Sequence, residues 1–120
     1  MADKILVVDD SATMRSSITF FLEENGYETV TAEDGVDGLK KLASNEVKMI
    51  ITDINMPNMN GIDFIIQVRK DAKYKFLPII VLTTESQDDM LNKGRAAGAT
   101  GWIVKPFSNE KMIAVIKKLL

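Results

Sequence analysis

Five short runs with strand-like patterning divide the chain, and four of them stop on a side chain capable of chemistry. Lys4-Ile5-Leu6-Val7-Val8 ends on Asp9-Asp10, and Met49-Ile50-Ile51-Thr52 ends on Asp53. Leu77-Pro78-Ile79-Ile80-Val81-Leu82 ends on Thr83-Thr84, and Thr100-Gly101-Trp102-Ile103-Val104 ends on Lys105-Pro106. The remaining run, Tyr27-Glu28-Thr29-Val30-Thr31, alternates and predicts a more exposed strand at a sheet edge. Apolar runs bounded by turn signals suit strands buried on both faces of a parallel sheet. Pro57 stops the chain after Asp53 from continuing as strand or entering a helix at once.

Helical spacing fills the intervals. Met14, Ile18, Phe21 and Leu22 predict a helix over 11–25, with Gly26 at the positive-φ position past its end. Val36, Leu39 and Ala43 share one face of a helix over 34–43. After the loop Asn58-Met59-Asn60-Gly61, a third helix over 62–69 offers Ile62, Ile65, Ile66 and Val68 to the core. The helix over 86–97, capped by Ser86, has a thin apolar face of Met90, Leu91, Ala96 and Ala97, and Gly94 lies inside it. It should be the least firmly held and the readiest to move or meet partners. Ser108 caps a last helix with Met112, Ile113, Val115, Ile116 and Leu119 inward. Five strand–helix alternations imply an α/β fold, a doubly wound (βα)5 arrangement with a parallel five-stranded sheet and right-handed crossovers. One domain over residues 1–120, with no linker or repeat, is expected.

Composition narrows the chemistry. The chain has neither cysteine nor histidine, so thiolate metal sites and the commonest general base are excluded. Carboxylate, hydroxyl and lysine remain. A net charge of −2 gives no electrostatic footprint for nucleic acid. No segment reads as a secretory leader or a membrane span, so a cytoplasmic monomer without nucleic-acid or membrane partners is expected.

In open α/β sheets ligands gather beyond the carboxyl ends of the strands, so Asp9, Asp10, Asp53, Thr83 and Lys105 can converge on one crevice. Each has an ordinary reading alone. Asp10-Ser11 can cap a helix, Asp53 can be a turn acid, Thr83 a strand-end residue and Lys105 a solvated cation. Their common placement at equivalent strand ends favours a site instead. Three clustered carboxylates repel one another, and one lysine neutralises too little of that charge. A hard divalent ion with oxygen ligands, Mg²⁺, is the natural completion. With Lys105 it would hold a phosphoryl group, which Asp53 is placed to accept as an acyl phosphate.

Val7-Val8-Asp9-Asp10-Ser11 with Arg15, Asp53-Ile54-Asn55-Met56-Pro57 with Gly61, Thr83-Thr84-Glu85 and Lys105-Pro106-Phe107 span essentially the whole chain. In these residues it resembles the response-regulator receiver domains of bacterial two-component signalling, most of all the stand-alone chemotaxis (CheY-like) class. The resemblance implies a flavodoxin-like strand order 2-1-3-4-5 and Asp53 as phosphoacceptor. It implies Mg²⁺ held by Asp10, Asp53, the backbone carbonyl of Asn55 and, through water, Asp9. Lys105 would pair with the phosphoryl group and Thr83 would close onto it, while the Lys105–Pro106 bond would be cis. Thr83 moving inward would vacate space for an aromatic ring, here Trp102 where relatives carry tyrosine or phenylalanine. The larger ring, whose indole N–H wants a partner, is not expected to turn fully inward. Asn55 and Glu85 would tune hydrolysis, giving a short-lived phosphoryl state, and residues 86–97, 100–104 and 108–120 would form the readout face.

The implied role is signalling rather than metabolic catalysis: self-catalysed phosphorylation and dephosphorylation, with no metabolite turned over. A CheA-like histidine kinase would be upstream and the flagellar motor switch downstream, with a phosphatase as a further partner. A phosphorelay intermediate serving a phosphotransferase domain is the alternative. A Mg²⁺-dependent aspartyl-phosphate phosphohydrolase is more remote, because Asn55 stands where haloacid dehalogenase-type enzymes need a second aspartate. An FMN carrier is disfavoured because Asp9 and Asp10 would repel phosphate. A fold that is never phosphorylated fits poorly with the full set of site residues.

Overall fold

A computed structural model describes residues 3–84, 88–105 and 107–120. The elements follow in strict alternation: β1 (Lys4–Val8), α1 (Ala12–Glu24), β2 (Glu28–Ala32), α2 (Gly35–Ser44), β3 (Met49–Thr52) and α3 (Gly61–Lys70). A 3₁₀ turn (Ala72–Tyr74) then leads to β4 (Ile79–Thr83), α4 (Asp88–Ala97), β5 (Gly101–Val104) and α5 (Asn109–Leu119). All strand pairs are parallel, and the order is β2-β1-β3-β4-β5. The doubly wound sheet expected from the alternation is therefore present, with β2 at an edge.

Strand residues alternate between two apolar layers, as a side-chain period of two requires. Leu6, Val8, Ile50, Ile79 and Val81 meet Leu42 of α2 and Phe64, Ile65 and Val68 of α3. Ile5, Val7, Met49, Ile51, Ile80 and Leu82 meet Ile18 and Leu22 of α1 and Met112 and Ile116 of α5. Burying each such aliphatic side chain stabilises by about 1.5–3 kcal/mol. Side-chain caps start the helices: Ser11 accepts from the Met14 N–H at 3.2 Å, Asn60 from Asp63 at 2.9 Å and Ser108 from Lys111 at 3.1 Å. Gly26 closes α1 at φ +89°.

Two helix faces differ from expectation. Val36 and Ala43 of α2 are exposed, and the inward surface is Gly35, Gly38 and Leu42, with Leu39 packed against the core as expected. The glycines face inward because there is no room for more: a Cβ on Gly38 would lie 2.9 Å from the Phe64 ring. In α3, Phe64 takes the buried position and Ile66 is exposed. The 3₁₀ turn was not anticipated. Arg69 holds it, donating from Nη1 to the Tyr74 carbonyl at 2.7 Å and from Nη2 to the Gly98 carbonyl at 2.8 Å. The Ser86 cap, Glu85 and the geometry of the Lys105–Pro106 bond lie outside the described residues. No helix among the described residues is long and apolar enough to cross a membrane.

Candidate functional site

The site grows out of the adjacency of β1 and β3. Their pairing places Val8 opposite Thr52, and the ladder continues one bond further, the Asp53 N–H donating to the Val8 carbonyl at 2.9 Å. The acids that follow each strand are therefore set side by side. Asp9 is only 2% exposed. Its Oδ1 accepts from the Ser11 N–H at 2.9 Å, and its own N–H donates to the Ala32 carbonyl at 3.1 Å. The Arg15 guanidinium donates to its carbonyl oxygen.

Asp53 is held as firmly. Its Oδ1 accepts from the Ile54 N–H at 2.7 Å, and its carbonyl accepts from the Thr52 hydroxyl at 2.9 Å. The chain turns back at Gly61, whose N–H donates to the Ile54 carbonyl at 2.8 Å. A Cβ at Gly61 would overlap the Asp53 carbonyl oxygen, so only glycine permits this approach.

Lys105 enters from the far side of the sheet. Its N–H donates to the Thr83 carbonyl at 2.7 Å, and its ammonium lies 3.3 Å from Asp9 Oδ2 and 3.6 Å from Asp53 Oδ2. An oxygen from each of Asp9, Asp10 and Asp53 falls within 4.8 Å of the others. Burial pushes the Asp53 carboxyl above the usual carboxylate range; Lys105 and the Ile54 N–H pull it back, and the charges of Asp9 and Asp10 add to the rise. An all-oxygen donor set with more negative than positive charge fits a hard divalent cation.

The structure thus brings together Asp9, Asp10, Asp53 and Lys105. Thr83 ends β4, fully buried, and joins them through its backbone. Asn55 is exposed on the loop after Asp53. Trp102 packs against the layer containing Phe64 and Val81, half-buried, and its indole N–H is buried without an acceptor among the described residues. Arg15 stood in the recognised motif without a role; a basic residue one turn into the helix that follows an acidic pair was its only signal.

Comparison with known proteins identifies the family. The pattern of the response regulator receiver domain matches residues 5–117. The chain is 48% identical over 107 residues to the chemotaxis protein CheY1 of Helicobacter pylori, covering 88% of this chain and 86% of the relative. It is 39% identical over 117 residues to the chemotaxis protein CheY of Pseudomonas aeruginosa, covering 97% and 94%. The high-resolution structure of the chemotaxis response regulator CheY4 of Vibrio cholerae superposes with a TM-score of 0.94 at 42% identity, covering all of both chains. TrrA of Thermotoga maritima, solved in complex with Mg(2+)-BeF, superposes at 0.88 with 37% identity, covering 98% and 99%. With the acid pair, the buried aspartate and the lysine converging on one sheet edge, these likenesses establish that the chain belongs to the response regulator receiver domain family.

Proposed function

We propose that the chain is a receiver of the chemotaxis class that accepts a phosphoryl group on Asp53 and thereby changes its binding to a separate protein. The observation that carries this reading is the Asp53 carboxylate, 3.6 Å from the Lys105 ammonium in the crevice where three acids converge. The donor is the phosphohistidine of a CheA-like kinase, since this chain has no histidine. An Asp53 oxygen bonds to phosphorus, the P–N bond breaks, and its electron pair leaves on the imidazole nitrogen. Asp10, Asp53, the Asn55 carbonyl and, through water, Asp9 would hold Mg²⁺, which when bound would neutralise carboxylate and phosphoryl charge.

Lys105 is already placed between two acids and has only to face the phosphoryl oxygens. Thr83 closes onto the same group, Trp102 responds, and Asn55 with Glu85 governs how readily water attacks the acyl phosphate. The output face comprises residues 86–97, 100–104 and 108–120, presented in the cytoplasm to a flagellar motor switch, with a phosphatase as a further partner. The names of the Helicobacter and Pseudomonas relatives support the chemotaxis assignment, and the Thermotoga complex supports the metal.

Incubation with acetyl phosphate and Mg²⁺ should add one phosphoryl group by mass, abolished by Asp53→Ala and by EDTA. A gain that survives Asp53→Ala would overturn the assignment.

A further inference from the structure

The loop between β3 and α3 carries Asn55 and is anchored at a point far from it in sequence. Asp34, at the start of α2, is almost fully buried, and its two carboxylate oxygens do different work. Oδ1 accepts from the Asp37 N–H at 2.8 Å and caps α2. Oδ2 accepts from the Asn58 side-chain amide at 2.8 Å, across 24 positions of sequence. Asn58 sits at φ +65°, a left-handed conformation that costs a non-glycine residue about 1 kcal/mol. Beside it the Gly35 N–H donates to the Met59 carbonyl at 3.2 Å, and a Cβ on Gly35 would lie 2.8 Å from the Met59 Cβ. The loop tip is therefore pressed onto the first turn of α2 and fixed there by a charge-assisted hydrogen bond. These bonds favour the carboxylate and hold Asp34 below the usual range.

We infer that Asp34 is a positioning residue for the phosphorylation site: through Asn58 it fixes the loop that presents the Asn55 carbonyl beside the Asp9–Asp10–Asp53 cluster. This rests on the functional reading above. The arrangement leaves Asp34 without contact to the reacting atoms, yet among the described residues the path from Asp53 to Gly61 has one side-chain hydrogen bond to the start of α2, at its crest. Groups that orient a metal ligand from behind typically change metal affinity 10–100-fold when removed.

Two variants separate anchoring from capping. Asn58→Gly removes the amide, relieves the positive φ and leaves the α2 cap intact. Asp34→Ser keeps a capping oxygen but is too short to reach Asn58. Mg²⁺ titration should show each single variant, and the double variant equally, binding about tenfold more weakly, with melting temperatures little changed. In metal-free protein, amide exchange at Met59 and Gly61 should quicken in both. Unchanged Mg²⁺ affinity with unchanged exchange, or losses that add in the double variant, would overturn the inference. Wild-type protein with no Mg²⁺ affinity would sink the functional reading instead, and the exchange rates would still decide the anchor.

Discussion

The indole of Trp102 on β5 occupies the space where a side chain at Gly94 of α4 would begin. A Cβ there would overlap ring carbon Cζ3 and lie 3.2 Å from Cε3. Two costs meet at this contact. Glycine inside a helix is about 1 kcal/mol less favourable than alanine, and a buried N–H costs about 1–3 kcal/mol where, as for Trp102 among the described residues, it has no acceptor. The fit of the large ring is what offsets them.

Gly94→Ala should therefore destabilise by about 1–3 kcal/mol despite its gain in helix propensity. It should also shift the emission of Trp102, the single tryptophan in the chain. Trp102→Val in the same background should recover most of the loss. Denaturant melts followed by circular dichroism check this for both variants, with Trp102 emission read in Gly94→Ala alone, and a stabilised Gly94→Ala would contradict it.

Asp53 gives a pH dependence of definite sign. Burial first, and neighbouring acids after it, raise its folded pKa above the usual carboxylate range. The folded protein thus binds that proton more tightly than the unfolded chain, and this group's contribution to stability is lost as pH rises through the folded value. In EDTA, Asp53→Asn should melt higher than wild type at neutral pH, with the advantage shrinking as pH falls toward about 4. An advantage independent of pH would assign the effect to packing.

Substitution of Lys105 should separate metal binding from phosphoryl transfer. Lys105→Ala leaves Asp9 buried without its cation and should cost about 2–4 kcal/mol in EDTA. Removing a positive charge beside the acids should leave Mg²⁺ affinity equal or stronger, while labelling by acetyl phosphate falls at least tenfold. Weaker Mg²⁺ binding in this variant would show that the ammonium organises the acids rather than competing with the ion.

Two glycines should respond to alanine for different reasons. Gly61→Ala meets the backbone of Asp53 and should cost about 2–4 kcal/mol and weaken Mg²⁺ binding. Gly26→Ala meets nothing within 4 Å but is held at φ +89°, so only about 1 kcal/mol should be lost and the site left untouched. Thermal melts paired with Mg²⁺ titration distinguish the two.

The strands were legible because buried parallel strands leave near-continuous apolar runs, and the acids at their ends marked the crevice. Once β1 lies beside β3, Asp9 and Asp53 have to meet. The inward face of α2 was illegible for the opposite reason: Gly35 and Gly38 carry no hydrophobic signal, yet they form the surface that lets α2 approach Phe64 and Met59. Phe64 and Ile66 are two positions apart in an apolar stretch, and only packing decides which turns inward. Asp34 and Asn58 each look ordinary in sequence, a cap and a loop residue. Their bond exists only after the sheet has ordered the two segments.

Lys105 also has a mechanical consequence. It follows the outermost strand β5, with β4 and β3 standing between that strand and β1, yet its ammonium lies 3.3 Å from Asp9 Oδ2 at the end of β1. The side chain thus acts as a strut from the rim of the sheet to its keel. An anion that drew the ammonium off Asp9 would slacken that strut, so charge arriving at the centre would be felt first as a change in how tightly the margin is braced.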